Sequence, residues 1–243
     1  MGRTFEVHID RYDPRRAPAA YCQRYEIESH SSMTVLELLT EIQRTVDDTL
    51  AFRTSCQIGK CGSCAVSLNG RPVLACRTVI DGPAVRLGPL PHFQPLHDLI
   101  VDREQFEDRR VRVIADALGN AEHPGPSFAA LPDEHVEYGN VARCIGCLVC
   151  DSVCPVAAQV TDRYSGPALL STSLSSGVRI RRRGLLATPI DGQMEYCSLC
   201  LNCELACPSG VALNRVNAQA KHEYTQEKGQ SVRDRLMGHV ELV

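Results

Sequence analysis

The sequence predicts an α+β chain in two parts, a small mixed sheet followed by a mostly α half. Three observations carry that expectation. Strand-type alternation, one amphipathic helix and an Asn-Gly turn all fall within the first hundred residues. Beyond them, alternation gives way to short helical pieces between cysteine loops. Within that second half, "CIGCLVCDSVCP" at Cys144–Pro155 returns as "CSLCLNCELACP" at Cys197–Pro208, an internal duplication.

Taken in order, "TFEVHID" puts Phe5, Val7 and Ile9 on one face of a half-buried strand. Tyr21, Tyr25 and Ile27 continue the pattern after a Pro/Arg-rich turn. Thr34 and Glu37 form a capping-box pair, after which Val35, Leu38, Leu39, Ile42 and Val46 recur at helical spacing. "VSLNGRPVL" holds Asn69-Gly70, a strong hairpin signal. The proline-dense "GPLPHFQP" (Gly88–Pro95) reads as the end of this module and the start of a linker. "DREQFEDRRVRVIADALGN" then reads as a helix ending at Gly119. The expected domains are residues 1–104 and 105–243.

The 243 residues are 44% hydrophobic and 23% charged, with a net charge of −3, which gives no general case for nucleic-acid binding. No apolar run approaches the roughly 18 residues of a membrane span. The start "MGRTFEVHIDRYDP" lacks an apolar signal core, and Glu6 breaks the myristoylation pattern that Gly2 begins. A cytoplasmic protein is expected. The exception to this ordinary composition is thirteen cysteines. A reducing compartment disfavours disulfides, and x2 spacing gathers thiols around a shared metal rather than bridging distant segments.

"CQIGKCGSCAVSLNGRPVLAC" carries Cys56-x4-Cys61-x2-Cys64 and then Cys76. That is the plant-type 2Fe–2S pattern, in which Gly59 and Gly62 let the loop backbone approach the cluster. Four-cysteine zinc is the plain alternative, and the x4 gap in a glycine-rich loop disfavours it. The order hairpin, helix, cysteine loop, hairpin suits a β-grasp plant-type ferredoxin domain.

The duplicated motif is the bacterial-ferredoxin type, in which three thiolates hold one cubane and the fourth crosses to the other. Cys144, Cys147, Cys150 and Cys207 then hold a 4Fe–4S cluster. Cys154, Cys197, Cys200 and Cys203 hold a third cluster, 4Fe–4S by thiol supply or 3Fe–4S if Cys200 does not ligate. Only Cys22 is left over, and it reads as structural rather than as a redox-sensing thiol. His92, His97 and His135 read as core or surface residues because the thiols complete every site. "RIRRRG" (Arg179–Gly184) suits anionic lipid, a flavoprotein or a solvated turn. No Ser/His/Asp set, P-loop or dinucleotide fingerprint occurs.

With these residues in view, the sequence resembles the iron–sulfur subunit of succinate dehydrogenase and fumarate reductase. The likeness covers "SCQIGKCGSCAVSLNGRPVLAC", "PLPHFQPLHDLIVD" (Pro89–Asp102), the Cys-Pro run at Cys144–Pro155 and "GPA" at Gly166–Ala168. The resemblance implies a subunit passing single electrons through three clusters between a flavoprotein, which carries FAD at its succinate/fumarate site, and a membrane quinone. It implies further partners in membrane anchor subunits or a cysteine-rich membrane-associated protein, and a place on the inner face of the cytoplasmic membrane. Two departures fall at the quinone end. Family members normally lack cysteine at the position of Cys200 and have tryptophan just after the Cys-Pro, whereas this chain has Cys200 and no tryptophan. The second function considered is the iron–sulfur subunit of a thiol-linked soluble fumarate reductase or another flavoprotein oxidoreductase with a non-quinone acceptor. A molybdenum-hydroxylase module is contradicted by the paired ferredoxin motifs. A zinc-scaffolded binding protein would be colourless where iron–sulfur is brown.

Overall fold

A computed structural model describes residues 3–15, 19–29, 32–119, 140–159, 164–169, 195–218 and 221–222. Strands β1 (Arg3–Arg11) and β2 (Tyr21–Ser29) pair antiparallel with Val7 opposite Tyr25. Helix α1 (Val35–Thr45) follows, then the hairpin β3 (Ala65–Leu68) and β4 (Arg71–Leu74), and β5 (Ala84–Gly88). The five strands form one sheet in the order β2-β1-β5-β3-β4, with β5 parallel to β1 and antiparallel to β3. Phe5, Val7, Ile9, Tyr25 and Ile27 are buried, as period-two alternation requires of one sheet face.

Local signals explain the elements they mark. Thr34 Oγ1 accepts from Glu37 N–H at 3.2 Å, and Glu37 Oε2 accepts from Thr34 N–H at 2.6 Å, a reciprocal cap of the kind that contributes about 1 kcal/mol. From that start, Val35, Leu38, Leu39 and Ile42 are buried along one stripe of α1. Asn69 and Gly70 have φ of 50° and 79°, the left-handed pair that a two-residue hairpin turn needs.

Three expectations differ at element ends and edges. Tyr21 is 45% exposed, because it lies at the last register position of the sheet opposite Arg11. Val46 is the C-cap of α1 and is 57% exposed, since the helix stops before its stripe reaches that turn. Cys22 is exposed rather than packed, with Sγ 3.8 Å from His8 Nδ1 on the outer face of the sheet.

The Gly88–Pro95 stretch begins no linker. Leu90, Leu99 and Val101 are buried, and β6 (Pro95–His97) pairs with β7 (Ile100–Val101). The cause is Asp98, which is 1% exposed and draws three donors from far along the chain. Arg11 Nε donates to Oδ1 at 2.8 Å, Tyr12 N–H to Oδ1 at 3.0 Å and Ala51 N–H to Oδ2 at 2.9 Å. Arg11 itself is buried and also donates to Tyr25 Oη, Asp47 Oδ2 and Thr49 Oγ1. Removing one side of such a pair strands the other charge, a loss of about 3 to 5 kcal/mol.

Helix α2 (Glu104–Gly119) leads out of this module. The later described residues include two short helices, α3 (Val149–Ser152) and α4 (Asn202–Ala206), a helical turn over 213–218, and no strand. One apolar core joins both parts, with Leu74, Ala75 and Leu90 in the same cluster as Leu148, Val149, Leu169 and Leu213. Among the described residues no helix is long and apolar enough to cross a membrane. Arg179–Gly184 and His135 lie outside the described residues.

Candidate cluster sites

Between α1 and β3 the chain runs through residues 51–64 without regular structure. Three left-handed residues turn it, Gln57 at φ 59°, Gly59 at 74° and Gly62 at 71°. This winding aims backbone donors at sulfur: Lys60 N–H donates to Cys56 Sγ at 3.2 Å. The Cys61 thiol is pulled down to about 6, led by the Ser63 hydroxyl and followed by backbone donors at Cys56 and Ser63. Cys64 is buried, and that burial pushes its thiol up to about 11 against a backbone bond at Cys76. Cys76 follows β4 in a turn tied to the loop by Ala75 N–H donating to Cys64 O at 3.0 Å. The structure therefore brings Cys56 to Cys61, Cys61 to Cys64 and Cys64 to Cys76. A buried thiol beside other thiols ionises only when positive charge arrives with it, which is the chemistry of a metal ligand.

The duplicated motif is a duplication of backbone shape as well. In the first copy Gly146 and Leu148 flank Cys147 with φ of 61° and 65°. In the second, Leu199 and Leu201 flank Cys200 with φ of 56° and 69°. Leu148 then caps α3 and Leu201 caps α4, both left-handed and neither with a side-chain hydrogen bond. Non-glycine residues seldom adopt this conformation, so its recurrence at matched positions marks a built loop.

These loops pass their last cysteine to one another. Cys144, Cys147 and Cys150 line one pocket, and the fourth cysteine in its wall is Cys207 from the other copy. Ile145, Leu148, Ala168, Val211 and Leu213 complete an apolar lining. Burial raises the thiols of Cys144 and Cys147, Cys147 to about 12, and the nearness of Cys207 raises both further. Cys150 is pushed well up by burial and by Asp151, to which its Sγ donates at 3.5 Å. Val211 N–H donates to Cys207 Sγ at 3.4 Å.

Cys154, the fourth cysteine of the first copy, is buried with Cys197 of the second, and Tyr164 packs between these segments. Burial pushes Cys203 up to about 12, and Cys197, Cys154 and Cys200 lie close enough to raise it further. Cys154 is raised by burial, Asp151 and Cys200, while Ala157 N–H donates to its Sγ at 3.5 Å. Cys200 itself is exposed at the rim, next to Leu201 and near Leu205, which is 82% exposed. His92 meets the backbone next to Cys150, with Nδ1 3.4 Å from Asp151 O, while His97 Nε2 lies 3.9 Å from Asp98 Oδ2. Among the described residues no three His, Cys, Asp or Glu side chains converge on a single metal ion. The first duplicated-motif set instead lines one pocket with four thiols in an apolar wall, the donor set that a 4Fe–4S cluster takes.

Two family models match the chain, "2Fe-2S iron-sulfur cluster binding domain" over residues 6–108 and "4Fe-4S dicluster domain" over residues 140–211. A curated relative, the "Fumarate reductase iron-sulfur subunit" of Mycobacterium tuberculosis, is 34% identical over 217 residues, covering 84% of this chain and 86% of that protein. The chain belongs to the iron–sulfur subunits of succinate dehydrogenase and fumarate reductase. Another member, a fumarate reductase (CoM/CoB) subunit of Methanothermobacter marburgensis, is 32% identical over 89% of this chain. An uncharacterized iron–sulfur protein of Methanocaldococcus jannaschii is 33% identical over 79% of it. The chain spans less than half the length of these last two, 44% and 38%. In three dimensions, a chain of the "Mycobacterium smegmatis Sdh1 complex in the apo form" superimposes with a TM-score of 0.72 over 94% of this chain and 98% of its own, at 20% identity, a likeness of fold.

Three residues of this family member escape a reading of the motifs: Tyr164, Asp151 and Arg103. Tyr164 is 3% exposed against Cys154 and Cys197, and Asp151 is 5% exposed beneath Cys150. Arg103 Nη2 donates to Gly146 O within the second cysteine loop. Asp151 follows Cys150 inside the motif, where Glu204 follows Cys203 in the second copy, so a recurring acid was the signal there; for Tyr164 it was the "GPA" two residues on, and nothing in the motifs marks Arg103.

Proposed function

We propose that this subunit carries single electrons through three iron–sulfur clusters between a flavoprotein succinate/fumarate site and a membrane quinone. The observation that carries this reading is the crossed pairing of cysteines, Cys207 entering the pocket of Cys144, Cys147 and Cys150 while Cys154 joins Cys197. Membership of the family supports the rest. The fold in this reading is a β-grasp plant-type ferredoxin domain (residues 1–104) followed by a mostly α two-cluster domain (residues 105–243).

Cys56, Cys61, Cys64 and Cys76 would hold a 2Fe–2S cluster. Cys144, Cys147, Cys150 and Cys207 would hold a 4Fe–4S cluster, and Cys154, Cys197, Cys200 and Cys203 the third. Bound there, each cluster supplies one-electron chemistry without proton transfer of its own. The chain supplies the rest. Its thiolates bind the irons, backbone N–H groups of Lys60, Ala157 and Val211 soften the charge on sulfur, and Leu148, Val211 and Leu213 keep water from the second site. Dicarboxylate chemistry belongs to the flavoprotein partner, which holds FAD. We further infer a peripheral place on the inner face of the cytoplasmic membrane, against anchor subunits or a cysteine-rich membrane-associated partner.

Co-purification of the tagged chain from its native host with a flavoprotein tests the reading. A brown complex that reduces its clusters with succinate, with iron and sulfide for one 2Fe–2S and two further clusters, is the expected result. A colourless zinc-bearing monomer that captures no flavoprotein would overturn it.

A further inference from the structure

We propose that Gly62 is a positioning residue that fixes the spacing between the first and second cluster sites. The inference rests on the electron-transfer reading above and adds the contact through which the two sites are held at one distance.

Gly62 lies between Cys61 and Cys64 and is buried. The other loop occupies the space where its side chain would be. A Cβ at position 62 would stand 2.6 Å from Ile145 O, 2.9 Å from Cys147 Cα and 3.0 Å from Cys147 Cβ. These are backbone atoms and the root of a ligand side chain, so they have no rotamer by which to withdraw. Arg103, just before α2, donates to Gly146 O of the same loop, and Glu107 pairs with the Arg103 guanidinium at 3.3 Å. The loop that carries Cys144 and Cys147 is thus tied to Arg103 where its backbone abuts Gly62. A ligand-bearing loop of the sheet module touches a ligand-bearing loop of the helical part with no side chain in between.

Separation matters here because electron tunnelling weakens exponentially with distance, and magnetic coupling between paramagnetic centres falls as its inverse cube. A methyl group at position 62 forces the loops apart and so weakens both. Gly59 provides the control. It has nearly the same φ, 74° against 71°, in the same loop, yet its Cβ would meet only Arg77 Cγ and Cδ at 2.8 Å. Arg77 is an exposed, flexible side chain that can move away. Gly59→Ala therefore imposes the same backbone strain without the contact between loops.

The test compares wild type, Gly62→Ala and Gly59→Ala in the isolated complex. Cluster content is measured first, and then the relaxation enhancement and line broadening of the reduced 2Fe–2S EPR signal caused by the reduced neighbouring cluster. The broadening is read in the molecules of each variant that retain both clusters, and the expected result is that it is reduced in Gly62→Ala alone. Broadening equal to wild type in Gly62→Ala would overturn the proposal, as would an equal decrease in both variants. Loss of the 2Fe–2S cluster from Gly62→Ala, alone or with Gly59→Ala, would also overturn it, by making Gly62 a requirement for retaining the cluster rather than for spacing. Wild type lacking either signal would instead be a failure of the electron-transfer reading itself.

Discussion

Gly166 sits directly over the carboxylate of Asp151, so close that a Cβ at position 166 would fall 1.8 Å from Oδ1. Asp151 cannot yield, because it is buried and held by the Cys150 thiol and the Ala168 backbone. Gly166 also has φ of 84°, where a side chain is strained even in open space. Gly166→Ala should therefore cost about 3 kcal/mol or more, strain and overlap together. Thermal unfolding and the 4Fe–4S content of the purified complex would register it. A variant with wild-type melting temperature and full iron would refute the argument.

Acid should loosen the sheet module through Asp47. Burial works to raise this carboxyl, but hydrogen bonds from Thr49, Tyr25 and Arg11 outweigh it and hold it well below its ordinary value of 3.8. A group depressed on folding adds stability above its unfolded value and loses that contribution as pH falls through the folded one. The urea midpoint, followed by circular dichroism, should thus fall below about pH 4. Asp47→Asn should be weaker at neutral pH by about 2 kcal/mol and flatter in acid. Parallel acid slopes in the two proteins would show that other carboxylates dominate.

How much of this was legible in the sequence follows the range of each interaction. The Thr34–Glu37 cap and the Asn69-Gly70 turn are closed within four residues, and both are where local chemistry puts them. The cysteine loops announce themselves by spacing. By contrast, Asp98 draws its donors from 87 and 47 residues away, so a proline-dense segment that reads as a linker is packed into the module. Gly62 against Ile145 and Gly166 against Asp151 are invisible for the same reason, since each glycine is explained by an atom on another loop. The ends of regular patterns were the other blind spot. Periodicity assigned Tyr21 and Val46 to the core, whereas strand and helix close at those points and leave them exposed.

Cys22 offers a test of the ligand sets, because it is the one cysteine outside all three. It is exposed on β2, while ligand thiols are covalently engaged when clusters are present. Alkylation of the intact, anaerobic complex followed by peptide mass spectrometry should mark Cys22 alone, and all thirteen cysteines only after the clusters are stripped. Equal labelling of any of the other twelve in the intact protein would remove that residue from its set.

The residue at greatest stake in that labelling is Cys200, whose exposure sets it apart from its buried partners Cys154 and Cys197. Exposure does not remove it from the site, since it lies close enough to Cys154 and Cys203 to raise both thiols. The left-handed leucines on either side give it the same local backbone as Cys147, which lines the pocket shared with Cys207. An iron without a protein thiolate is easily lost, so a thiolate at this position should keep the third cluster a 4Fe–4S cubane. The added negative charge should also lower its reduction potential within the wide range such clusters span. EPR of gently oxidised protein, kept anaerobic until that step, decides the matter. The cubane is silent when oxidised, whereas a 3Fe–4S centre gives a sharp signal. Wild type should be silent and Cys200→Val should gain the signal at full stoichiometry. A stoichiometric 3Fe–4S signal already present in wild type would mean that Cys200 stands at the rim without binding iron, and the other eleven ligands would be unaffected.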